Sequence, residues 1–292
     1  MKILNFGSTN IDMTFSLDHI VQPGETISSY GMEIHAGGKG LNQSVALAKA
    51  GAEVYHGGLI GNDGAFLRET MEQAGVNCAY LYDSEGPNGN ALIQVDKNGQ
   101  NCIVLFGGSN DRVTEALADE ILSHFEAGDW LLLQNEINLD AYIIDKAYER
   151  GMVIVLNPSP FNEKMHRCDL SKVSYFLMNE VEGAQITGKT KPREILAEAL
   201  KRYPEAKIVL TLGGDGCCYQ DREQYLEQGI FPVKAVDTTA AGDTFTGYFL
   251  ASVMRGEPVA RALALASKAS SIAVTRPGAS PSIPDAAEVV LD

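Results

Sequence analysis

The residues best suited to chemistry lie between Asp237 and Gly247, in "DTTAAGDTFTG". Asp243 follows two alanines and a glycine, and Phe245, Tyr248, Phe249 and Val253 continue behind it with the spacing of a helix. Ala240, Ala241 and Gly242 have no bulk to shield their N–H groups. At a helix N-terminus such groups, with the macrodipole, form an anion site. Asp243 inside that site would take a proton from an attacking hydroxyl, but Asp is also a common N-cap, and the stretch alone does not choose.

Other segments carry chemistry of the same kind. In "AGGKGLNQSVALAKAG", Gly37 and Gly38 let the backbone approach a ligand, and Lys39 and Asn42 would face it, before a helix that Gly51 ends. Polar sugar hydroxyls suit such donors, and "NID" (10–12) offers an ionised acceptor in Asp12. In "MNEVEG", Asn179 and Glu182 would share one face of a helix start, there to hold water around Mg²⁺ or simply to cap the helix. "TLGGDG" (211–216) is either a plain turn or bare backbone laid against a nucleotide.

Several familiar sites are excluded. A Walker loop needs glycine in place of Glu33 and Ser or Thr in place of Gly40, and a dinucleotide fingerprint needs glycine in place of Gln43. "GGSND" is not a nucleophile elbow, and the five histidines have no zinc-site spacing.

The elements that must hold these residues alternate along the chain. "DWLLLQ", "MVIVLN", "SYFLMN" and "KIVLTL" are short and apolar throughout, as strands buried on both faces are, and helical patterns at 139–150 and 192–203 lie between them. This predicts a parallel sheet covered by helices. Glu136, Asn157, Asn179, the "TLGGDG" glycines and Asp237 all follow apolar runs, where ligands bind beyond the carboxyl ends of strands. In the first half, 41–50 reads as a helix and 54–75 as a strand–helix unit. "TISSYGMEIHAGG" alternates, and Asn98-Gly99 marks a hairpin. The pattern predicts a small, half-exposed antiparallel sheet serving as a lid, a dimer surface or both.

With 292 residues and a formal charge of −15, the chain has room for a large core and is a poor partner for nucleic acid or anionic membrane. No apolar run reaches transmembrane length, and "MKILNFGSTNIDMTF" lacks a signal peptide's pattern. The five cysteines show no framework spacing. A cytoplasmic protein with reduced thiols is expected.

Taken in order, "GSTNID", "PGET", "GGKGLNQS", "LIGNDG", "QNE", "MNEVE", "TLGGDG", "DTTAAGDTFTG" and "AVTRPGASPSIP" resemble the ribokinase-like (PfkB) sugar kinases from Gly7 to Pro284, with the strongest likeness to the ribokinases. The resemblance implies a single three-layer α/β/α domain over 1–292, with a mostly parallel central sheet and lid segments near 12–37 and 86–110. It also implies ATP-dependent phosphorylation of a sugar's primary hydroxyl, with ribose the first expectation and another pentose, a fructose-type sugar or a nucleoside behind it. A non-catalytic sensor on the same fold would not need Asp243.

Residue by residue, the resemblance makes Asp243 the general base and Ala240, Ala241 and Gly242 the anion hole. Asn10, Asp12, Gly38, Lys39, Asn42 and Glu136 would hold the sugar, while Asn179 and Glu182 would act around Mg²⁺ and the phosphates. Thr211, Gly213, Gly216 and Ser267 would line the nucleotide site. A K⁺ ion would bind the side chains of Asp237 and Ser282 and the carbonyls of Thr239, Ala273, Arg276 and Gly278. A homodimer through the lid is implied as well. Two stretches depart from the family pattern: "GGSN" puts Ser109 where an alanine is common, and "NGNA" (88–91) replaces a common Thr-Gly-x-Ala. Both bear on sugar identity.

Overall fold

The structure, a computed structural model, describes residues 1–291. From the N-terminus the elements run β1 (Ile3–Phe6), β2 (Asn10–Leu17), β3 (Gly31–Gly37), α1 (Lys39–Lys49), β4 (Val54–Ile60), α2 (Ala65–Gln73), β5 (Asn77–Asp83), β6 (Gly89–Asp96), β7 (Asn101–Phe106), α3 (Glu115–Leu122) and β8 (Trp130–Gln134). They continue as α4 (Asp140–Glu149), β9 (Val153–Asn157), β10 (Tyr175–Asn179), α5 (Glu180–Thr187), α6 (Pro192–Arg202), β11 (Lys207–Thr211), β12 (Cys217–Gln220), β13 (Tyr225–Gln228), α7 (Ala241–Met254) and α8 (Val259–Ala273). The four apolar runs form β8 to β11, and the helical patterns at 139–150 and 192–203 form α4 and α6.

Nine strands make one sheet in the order β13-β12-β11-β10-β9-β8-β1-β4-β5. Seven are parallel, and β12 and β13 add an antiparallel hairpin at one edge that the sequence pattern did not reveal. Leu132, Val155, Leu177 and Val209 point into one core with α1, α2, α7 and α8. Their neighbours Leu131, Ile154, Phe176 and Ile208 point into the other core with α3 to α6. Each strand thus needs apolar residues at successive positions, which is why the runs are unbroken. The strand order reverses between β1 and β8, so a crevice opens beyond their carboxyl ends. Glu136, Asn157, Asn179 and Thr211 lie along that edge. Asp237 does not follow a strand; it belongs to the irregular segment leading into α7.

The second sheet has the order β3-β2-β6-β7 and is mixed, not antiparallel: β2 and β6 run parallel. They leave β1 and β5, two parallel strands, at the same edge and therefore travel in the same direction. The Asn98-Gly99 hairpin joins β6 to β7, with Asp96 accepting the N–H groups of Asn98 and Gln100 at 2.8 and 2.9 Å. Ile103, Val104, Leu105 and Phe106 are each at least 50% exposed, so β7 is bare on both faces, beyond the half-exposure expected.

Candidate active site

Two helices that start beside the crevice carry the central carboxylate and its partners. α1 and α7 lie against each other with their N-termini at the same end, and Gly247 permits the close approach. A Cβ there would stand 2.4 Å from that of Ala46. One turn earlier on both helices, Asn42 Nδ2 donates to Asp243 Oδ2 at 3.1 Å and Gln43 Nε2 donates to Oδ1 at 2.9 Å. Asp243 is buried and lies in the first turn, while Ala240 takes the N-cap position and α7 has no side-chain cap. The capping alternative for Asp243 is therefore removed: its carboxylate turns toward α1 instead of its own helix end.

Ala240 has φ 58° and ψ 11°, the one left-handed non-glycine residue among those described. That conformation costs ~1–2 kcal/mol, and such strain collects where function fixes the backbone. Ala241 N–H donates to Thr238 O at 3.2 Å, closing the turn. Among the described residues, the N–H groups of Gly242 and Asp243 meet no acceptor, as helix geometry requires at this end. The Ala240 N–H likewise meets none, so of the Ala240–Gly242 set expected from sequence only the Ala241 N–H is engaged within the protein.

Charged side chains gather around this helix end. Asp12, on β2, lies over Gly37, where a Cβ would stand 2.0 Å from its Oδ2. Burial and the negative charges of Glu136 and Asp243, partly offset by His35, push the Asp12 carboxyl up to about 7. Lys39 is shifted upward as well: burial opposes its charge, but Asp243, Glu136 and Glu182 together outweigh that cost. Glu136 accepts the Lys39 N–H at 2.9 Å and the Ser8 hydroxyl, and burial raises its carboxyl despite Lys39. Ser8 carried no signal in the sequence beyond its place in "GSTNID". Gln43 entered there as a mismatch to a glycine pattern and as a member of "GGKGLNQS", with no role of its own.

Two cavities meet at the start of α7, with Thr211, Thr238, Ala241, Gly242 and Phe245 in both linings. The polar one, about 240 Å³, also takes in Lys39, Asn157, Asn179, Glu182 and Asp243. The larger, about 360 Å³, takes in Gly213, Gly216 and Ser267, as expected, together with Ile230, Phe231 and Val233 from an irregular segment without periodicity. Asn179 and Glu182 form a full capping box on α5: Asn179 Oδ1 accepts the Val181 and Glu182 N–H groups, and Glu182 accepts the Asn179 N–H at 2.8 Å. The capping reading of "MNEVEG" is the one observed, and the capped pair also lines the polar cavity.

The loops named for K⁺ are joined at Asp237. Its carboxylate accepts Thr239 N–H (2.9 Å), Thr239 Oγ1–H (2.6 Å) and Gly278 N–H (2.9 Å). Burial works against the Asp237 charge, but these bonds prevail and hold its carboxyl below the ordinary range. Ser282 is buried and donates to Ala279 O, and Arg276 N–H donates to Ala273 O, which folds the 273–282 loop back under Asp237.

Asn10 gives its carbonyl oxygen to Asn110 Nδ2 at 2.8 Å, in a buried polar cluster at the base of the small sheet. The two departures from the family pattern meet there: Ser109 Oγ donates to Asn88 Oδ1 at 3.1 Å, and both side chains are fully buried. The extra hydroxyl is consumed inside the protein.

The profile of the pfkB family carbohydrate kinases matches residues 1–286. The chain belongs to this family. Among PfkB relatives, the ribokinase of Haemophilus influenzae is 32% identical over 97% of this chain and 95% of its own. A Cryptococcus neoformans ribokinase solved with ADP superposes with a TM-score of 0.84 at 32% identity, covering 99% of this chain and 98% of the other. The Arabidopsis thaliana ribokinase solved with ribose and ATP gives 0.86 at 28% identity, covering 99% and 97%. The protein is accordingly a PfkB carbohydrate kinase of the ribokinase type, and no helix among its described residues is long and apolar enough to cross a membrane.

Proposed function

We propose that this kinase transfers the γ-phosphoryl group of ATP to the primary hydroxyl of D-ribose, giving ribose 5-phosphate and ADP. The carrying observation is the buried Asp243 carboxylate in the polar cavity, one residue from the wall it shares with the larger one, beside free N–H groups and Lys39. Relatives of nearly equal length are ribokinases, one of them solved with ribose and ATP.

In this reading Asp243 accepts the hydroxyl proton as the oxygen attacks phosphorus and the bond to ADP breaks. The Gly242 and Asp243 N–H groups, with those of Ala240 and Ala241 around them, face the charge on the transferring group. Asn10, Asp12, Gly38, Lys39, Asn42 and Glu136 orient the sugar, which fixes the attack geometry. The nucleotide takes the larger cavity, against Thr211, Gly213, Gly216 and Ser267. Mg²⁺ suits the oxygen-rich end formed by Asn179 and Glu182, and when bound it supplies neutralisation of the phosphates. The carboxylate of Asp237, Ser282 and the carbonyls of Thr239, Ala273, Arg276 and Gly278 form an oxygen-only donor set suited to K⁺, which would fix the loop carrying Ala240.

The small sheet acts as the lid over the sugar, and its bare apolar strands pair with a second copy, making a homodimer. The protein works in the cytoplasm, with neither nucleic acid nor membrane as partner. The deciding experiment measures ADP release over a panel of sugars and nucleosides, with and without K⁺. Turnover fastest with ribose and stimulated by K⁺ is expected; turnover with a nucleoside and none with ribose overturns the substrate. Ile34→Asp with Phe106→Asp should convert a dimer to a monomer in sedimentation, and an unchanged mass removes the dimer.

A further inference from the structure

Behind Asp243 a row of fully buried amide side chains continues across the molecule. Gln43 Oε1 accepts from Gln134 Nε2 at 2.7 Å, and the same nitrogen donates to Asn5 Oδ1 at 2.9 Å. Asn5 Nδ2 donates to Gly40 O at 2.7 Å and to Ser44 Oγ at 2.8 Å, and Ser44 Oγ meets His56 Nδ1 at 2.8 Å. Asn5, Gln43, Ser44, Gln134 and His56 are each at most 1% exposed.

The direction of this row is not free. A backbone carbonyl can only accept, so Gly40 O requires the nitrogen of Asn5, which leaves the Asn5 oxygen toward Gln134. Gln134 must then present its nitrogen, and Gln43 must present its oxygen to Gln134. The nitrogen of Gln43 is thereby forced toward Asp243 Oδ1, which can only be an acceptor. At the other end, Ser44 accepts from Asn5, and its hydroxyl donates to His56 where the Nδ1 of that ring carries no proton. Burial depresses that imidazole to about 4, so it stays neutral and able to accept.

We infer that the amide relay Gly40–Asn5–Gln134–Gln43 is a positioning device that fixes the Asp243 carboxylate as the proton acceptor, with Gln134 acting on the base without touching it. The inference rests on Asp243 being the base. Such a relay orders the carboxylate before substrate arrives, so it acts on the transfer step more than on binding. Lys39 on α1, Asp12 on β2, Glu136 after β8 and Glu182 on α5 are the other charged groups around Asp243, and none contacts Gln134 in the structure.

The test replaces Gln134 by Glu and, separately, by Met. A carboxylate at 134 cannot donate; Gln43 then turns its nitrogen toward that carboxylate and its oxygen toward Asp243, placing two acceptors together. For Gln134→Glu, kcat should fall about 100-fold at neutral pH with both KM values within about threefold, and the acid limb of its pH profile should move to higher pH. Gln134→Met, which only releases Gln43, should lose about tenfold with no such movement. A pH profile superimposable on the wild type's, or equal losses in both variants, overturns the relay. If Gln134→Glu does not fold, Gln43→Met serves: kcat should fall at least about tenfold with KM retained, and an unchanged kcat overturns the relay. Asp243→Asn is measured alongside. Near-normal turnover there sinks the base and the relay together, whereas an inert Asp243→Asn beside a normal Gln134→Glu sinks the relay alone.

Discussion

The two cavities on either side of the α7 N-terminus share a wall and little else. One is bounded by Lys39, Glu182 and Asp243, with Asp243 held by hydrogen bonds from α1 and Glu182 by the α5 cap. The other is closed by Ile230, Phe231 and Val233 against exposed glycine backbone and serine hydroxyls. A reaction centre needs charges held in place before the substrate arrives, so its side chains are anchored to helices. In the proposed reading the second cavity takes the flat ring of the nucleotide, which needs mainly shape and low polarity, and an irregular segment can supply these.

The difference can be broken at several points. The largest effect belongs to Asp243→Asn, which should lower kcat by ~10³-fold or more while sugar binding persists, as isothermal titration would show. Near-normal kcat would remove the distinction between a reacting and a holding cavity. Next is Gly242→Leu at the shared wall. A Cβ at Gly242 meets no atom within 4 Å, so thermal unfolding should stay within a few degrees of the wild type. Turnover should nevertheless drop ~100-fold, because bulk then stands between the two ligands. A folded, fully active variant would move the seam elsewhere.

Val233→Asp should raise the KM for ATP about tenfold and leave that for the sugar unchanged, since it puts a charge into the apolar wall alone. A matching rise in both would show that the cavities are not separate. The smallest effect concerns pH. Asp12 loses its proton near 7, so the KM for sugar should fall about fivefold from pH 6 to pH 8, and Asp12→Asn should abolish that slope. The KM for ATP should not follow it. Because the folded state holds this proton more tightly than the unfolded one, Asp12 favours folding at pH below its ordinary 3.8, and that contribution is lost as pH rises through 7.

Much of the polar cavity was legible because its residues carry unusual local requirements. Asp243 after three small residues, Lys39 behind two glycines and Asn179 three before Glu182 are short-range patterns, and short-range patterns survive in one dimension. Ser8, Gln43 and Gln134 were not legible in their roles. A buried serine or glutamine looks like any surface residue until the partner that satisfies it is known. Phe231 and Val233 were missed because the segment 229–236 has no period to separate inward from outward positions.

The sequence by itself determined the parallel sheet, since unbroken apolar runs are stable only when covered on both faces. It also determined the order of the motifs and hence the family. Tertiary structure decided the rest. It set the parallel pairing of β2 with β6, which follows from two strands leaving the same sheet edge together. It turned Asp243 toward α1, through the close contact at Gly247 that no local pattern announces. It also paired Ser109 with Asn88, absorbing two departures that looked like changes of specificity when read one at a time. Hydrogen-bond satisfaction in a buried site is a property of pairs far apart in the chain, and only the fold brings those pairs together.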